Sequence, residues 1–147
     1  MKRTILLLIT IGLIATLALS QDVPATASST GSYQPKFEGD KAHSNAEAAA
    51  LGYMRTLVSA QKVYKKKHNE YAKSLMALVG SGSFTRRMAE TKRGDYGVSF
   101  KPRGDGYSLA LTPINFDAGH RAFYVDESGT FRCEADKPAT ASSPTLE

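Results

Sequence analysis

The stretch from Ser44 to His68, SNAEAAALGYMRTLVSAQKVYKKKH, limits what this chain can fold into more than any other. At about 100° per residue, Ala46, Ala50, Met54, Leu57, Val58, Gln61 and Tyr64 fall on one face of a helix. Arg55, Ser59, Lys62 and Lys66 fall on the opposite face. Ser44 and Glu47 form the S-x-x-E pattern in which side chains satisfy the free backbone N–H groups of a helix start. Lys65, Lys66, Lys67 and His68 place cations at the C-terminal end of the helix dipole, and Asn69 suits the stop. An amphipathic helix of this length needs an apolar surface to lie on.

The second half of the chain is read as that surface. From Gly94 the apolar period changes to two, with Tyr96, Val98 and Phe100 alternating before a turn at Lys101 to Gly106. Tyr107, Leu109 and Leu111 alternate again. Ala122, Tyr124 and Asp126 then lie on one side of a strand, with Arg121, Phe123 and Val125 on the other. The tight turn Asp126-Glu127-Ser128-Gly129 leads back into a last strand, Thr130 to Cys133. Between helix and strands, Tyr71, Leu75 and Leu78 fit a short helix ending at Gly80, and Phe84 to Glu90 fits one more helical piece. The predicted fold class is α+β: a long N-terminal helix packed on a small antiparallel sheet of about four strands, spanning residues 44–133.

The flanks have a different character. Lys2 and Arg3 precede an apolar run from Ile5 to Leu19, the layout of a secretory signal. Ala18-Leu19-Ser20 places small residues where a signal peptidase reads, which predicts a cut between Ser20 and Gln21. Left uncut, residues 1–20 would be an N-terminal anchor. Residues 21–43 read as a disordered linker and 134–147 as a disordered tail, both rich in Ser, Thr, Ala and Pro and without a period. The expected location is secreted or periplasmic.

Charge is unevenly spread. Residues 41–104 carry a net charge of +9 and residues 105–147 a net charge of −4. The candidate anion-binding residues are Arg55, Lys62, Lys65, Lys66, Lys67, Arg86 and Arg87, with Lys92 and Arg93 nearby in sequence. Their expected ligand is a polyanion: DNA, an anionic lipid or an acidic glycan. No aromatics are interleaved to stack on bases, and a plain solvated basic surface is the alternative reading.

Other chemistry is thin. No G-x-S-x-G nucleophile turn occurs, and His43, His68 and His120 have no metal-site spacing. Arg-Gly-Asp occurs at 93–95 and 103–105, where turn residues are expected in any case. Asp126 and Glu127 form either a plain turn or part of a calcium loop, which needs about six to eight oxygens. The single cysteine, Cys133, is buried, free or available for an intermolecular bridge. The sequence therefore points to no catalytic residue, no cofactor and no small-molecule substrate, and to a monomer or a Cys133-linked dimer.

Four segments, in order, carry a family resemblance. Ala50 to Leu57 with Gln61 to Tyr64 resembles the helix of type IV pilin-like and type II secretion pseudopilin proteins. Tyr71-Ala72-Lys73-Ser74-Leu75-Met76-Ala77-Leu78 is similar to their Y-x-x-S-L-x-x-L segment, and Thr91 to Tyr96 to their T-K-x-G-Y lead into the first strand. Arg121 to Arg132 resembles their closing R-x-F-Y-x-D-x-S-G-x-x-R hairpin. The resemblance implies a non-catalytic structural or binding role, with pilus or secretion-system proteins as partners. It also implies a leader with Gly before the cut, a Phe-like first residue and Glu at the fifth position, whereas here Gly12 is followed by Leu13, the fifth residue is Leu17, and no acidic residue precedes Asp22. Pro24, Gly31, Pro35 and Gly39 separate the apolar run from the helix, so a monomeric head is expected rather than a filament subunit.

Overall fold

The computed structural model describes residues 33–147. The predicted signal segment, its cut between Ser20 and Gln21, and the first part of the linker lie outside the described residues. Helix α1 runs Asn45–His68. Ser44 is its N-cap, in extended conformation, and its Oγ accepts from the Glu47 N–H at 3.1 Å. The helix ends where Asn69 adopts φ 60° and its N–H reaches the Lys65 carbonyl at 2.8 Å. A left-handed residue there satisfies an otherwise free carbonyl, and Asn tolerates that conformation better than most residues.

Five strands follow: β1 Lys92–Arg93, β2 Tyr96–Pro102, β3 Tyr107–Pro113, β4 Ala122–Asp126 and β5 Arg132–Glu134. They pair antiparallel in sequence order, so the sheet is a simple meander. Val98 sits opposite Leu111, Leu111 opposite Phe123, and Phe123 opposite Cys133, which sets one row across the sheet. That row and its neighbours Tyr96, Leu109 and Val125 share a core with Ala50, Leu51, Met54, Leu57 and Val58 of α1. Fully burying one such large aliphatic side chain contributes about 1.5–3 kcal/mol, so this layer is the main source of stability.

The expectation of about four strands is corrected: the sheet has five. The additional strand, β1, is only two residues long and has no apolar alternation, so a period-two reading passes over it. Its pairing depends on Gly94, whose φ of +56° turns the chain so that Lys92 and Arg93 lie opposite Gly97 and Tyr96. The two short helical pieces are 3-10 turns, Met76–Leu78 and Arg86–Ala89. No helix among the described residues is long and apolar enough to cross a membrane.

Both segments read as unstructured are ordered where they are described. In residues 33–43 the Asp40 carboxylate accepts from the Tyr33 hydroxyl and from the N–H groups of Lys36 and Ala42, and Ala42 is buried against the core. The tail 134–147 doubles back along β5. Cys133 N–H donates to the Pro144 carbonyl at 3.0 Å and Leu146 N–H to the Phe131 carbonyl at 2.9 Å. Ala139 packs on Ala122 and Tyr124, on the sheet face away from α1. Composition missed this because backbone pairing and one small buried side chain leave little trace in hydropathy.

Candidate functional site

Two groups of polar residues stand out, one inside the domain and one on its surface. The internal group begins at Glu47, which lies one turn before Leu51 on the core face of α1 and is fully buried. Its Oε2 accepts from His43 N–H at 2.8 Å and from Arg121 Nη2 at 2.8 Å, and its Oε1 accepts from Arg121 N–H at 2.9 Å. Arg121 also donates through Nη2 to the Lys41 carbonyl at 2.7 Å. Burial pushes the Glu47 carboxyl up, but the hydrogen bonds from Arg121 and His43 outweigh it and hold the group below the ordinary glutamate range. The capping pattern read from sequence is therefore half altered. Ser44 caps as expected, while Glu47 passes over the Ser44 N–H for His43 and for Arg121, the residue just before β4.

Beside this pair, His120 Nδ1 lies 2.8 Å from Asp117 Oδ1, which raises the imidazole above its ordinary value. Its Nε2 lies 3.5 Å from the Asp95 carboxylate, beyond a well-formed hydrogen bond. Cys133 is half-buried, with Arg121 Nη1 at 4.0 Å from its Sγ. Burial pushes its thiol up despite the nearby guanidinium, so it is a poor nucleophile at neutral pH. These contacts organise the join between helix and sheet. They leave no nucleophile–base pair aimed at open space.

The surface group is the predicted anion site. Arg55, Lys62 and Lys66 share one exposed flank of α1, as their helical bearings require. Arg55 at the upper end lies over the Phe37 ring at 5.2 Å. Lys65 stands apart, its Nζ 4.2 Å above the Tyr71 ring, in a cleft with Asn69, Glu70 and Asp105. Lys67 lies about 140° around the helix from Lys62. Arg86 and Arg87 are on a different side altogether. Their 3-10 turn packs against Tyr53, whose hydroxyl donates to the Met88 carbonyl at 3.0 Å and whose ring lies 6.2 Å from Phe84. Tyr53 is about 180° around α1 from Lys62, so the seven residues do not form one patch.

Among the described residues none of the seven is in an ion pair with a carboxylate. Asp126 closes its own turn, accepting from Ser128 N–H at 3.0 Å, and Glu127 reaches back to Tyr107 N–H at 3.2 Å. That approach is close: a β-carbon on Gly106 would come within 2.5 Å of the Glu127 carboxylate, so a larger residue there would displace the exposed Glu127 side chain. Among the described residues no three His, Cys, Asp or Glu side chains cluster as metal ligands do.

Sequence reasoning missed the Glu47–Arg121 pair, although a charged residue one turn before Leu51 on an apolar face was the available signal. It also missed Tyr53, Arg93 and Tyr96 as neighbours, since only the β1–β2 turn brings the last two to the helix. Comparison with known protein families, with curated proteins and with solved structures finds no match to this chain.

Proposed function

We propose that this chain is a non-catalytic, exported pilin-like domain with a structural or binding role beside a type IV pilus or type II secretion assembly. One observation supports the reading. The four segments that carry the resemblance build α1, the Met76–Leu78 turn, β1 with the start of β2, and the β4–β5 hairpin, elements that adjoin in one packed frame. The test is genetic and biochemical. Deleting the gene should lower piliation or type II secretion, and the protein should crosslink to components of that machinery in intact cells. A deletion strain with unchanged piliation and secretion overturns the proposal.

A second reading, anion binding, is favoured by the Arg55–Lys62–Lys66 flank, where three exposed cations lie in line with no carboxylate partner among the described residues. Each phosphate neutralised contributes about −0.9 to the slope of log K against log salt on duplex DNA. Replacing the three with Ala should flatten that slope by about 2–3 and leave thermal stability unchanged. Absence of binding to DNA and to anionic vesicles at low salt removes this reading.

A further inference from the structure

A cavity of about 450 Å³ opens between the N-terminal half of α1 and the β1–β2 turn. Its helix side is made of small residues, Ala46, Ala49 and Gly52, with Met88 closing part of the wall. That size falls in the usual range of small-ligand pockets, about 300–1,000 Å³. One charged side chain reaches it, from β1. Arg93 lies over the Tyr53 ring at 5.0 Å and has no carboxylate partner among the described residues. Tyr96, 1% exposed, backs the wall from the interior side, its ring beside Phe123 and His120. Asp95 also lines the rim, its carboxylate turned toward His120.

Gly52 supplies an independent indication. Glycine is the worst residue for a helix interior after proline. Elsewhere it is explained by a neighbour too close for a side chain, yet a β-carbon at Gly52 would touch nothing within 4 Å. The domain's own packing does not require the gap. The gap is part of the cavity.

We propose that this cavity binds a small amphipathic carboxylate, its ring or short alkyl body lying along Ala46, Ala49 and Gly52. The Arg93 guanidinium pairs with the carboxylate. A charge-assisted pair supplies orientation and the small-residue wall supplies room.

The probe is 2-naphthoate, titrated into the full chain by calorimetry and by amide NMR shifts, with 2-naphthalenemethanol as its uncharged counterpart. Binding should shift the amides of Ala49, Gly52 and Gly94. Arg93→Met should weaken 2-naphthoate about tenfold or more while leaving the alcohol within about twofold. Gly52→Leu, a substitution that favours the helix and fills the space, should abolish binding of both probes while raising the melting temperature. The proposal is overturned if the folded chain does not bind 2-naphthoate at millimolar concentration, or binds both probes equally. It is overturned equally if Gly52→Leu binds normally, or if Lys62→Ala with Lys66→Ala, rather than Arg93→Met, removes binding. Competition by an apolar helical peptide where 2-naphthoate fails would assign the cavity to a protein partner instead.

Discussion

Glu47 and Arg121 meet across 74 residues of chain, and among the described residues no other ion pair between helix and sheet is so deeply placed. Removing one member of such a pair leaves the other buried and uncompensated. Glu47→Ala should therefore lower stability at neutral pH by about 3–5 kcal/mol, read from urea unfolding. The pH dependence has a definite sign. Because the folded-state value of Glu47 is depressed, its contribution is complete above the unfolded value of about 4.3 and is lost as pH falls through the folded value. Glu47→Gln should flatten the acid limb of the stability profile, and an unchanged limb would show that the pair carries no such linkage. His120 has the opposite sign: raised by Asp117, it contributes below the unfolded value of about 6.5 and loses that contribution as pH rises through the folded one. At this scale the sequence was only partly legible. Ser44 and Asn69 act locally and could be read from spacing, whereas the partner of Glu47 depends on where β4 begins.

Among the elements, α1 and the long strands were legible because each repeats its period over several turns or pairs. β1 was not, since two residues have no period. The loop after α1 shows why propensity stops short of the structure. Gln61 is fully buried on the core face, and its amide clamps the backbone of Ala72, accepting from Ala72 N–H at 2.9 Å and donating to its carbonyl at 3.3 Å. A glutamine on an apolar stripe resembles a tolerated impurity until both ends of its amide are seen to be used. Gln61→Leu would strand the N–H and carbonyl of Ala72 and should cost about 1–3 kcal/mol. Asn69→Ala places an ordinary side chain at φ 60° and should cost about 1–2 kcal/mol, with Asn69→Gly neutral or better. Thermal unfolding of the pair checks both, and an Ala variant as stable as the Gly one would contradict the C-cap account.

For the whole molecule, the described termini matter more than their composition suggests. The sheet would end at β5 with an open edge, but residues 144–146 pair with that edge and Ala139 covers Tyr124. A chain truncated after Glu134 should lose about 2 kcal/mol from re-exposed apolar area and should self-associate through the bared strand. Light scattering of the full chain and the truncated one decides this: equal, monomeric profiles would mean that the tail protects nothing. The Glu47–Arg121 join has a further consequence for how the chain comes to be folded. Ribosomes deliver α1 first, and its carboxylate has no counter-ion until β4 has emerged, which makes the completing contact a distant one in sequence. Seating α1 therefore depends on a contact 74 residues away in sequence, one of the non-local contacts whose loop closure slows folding.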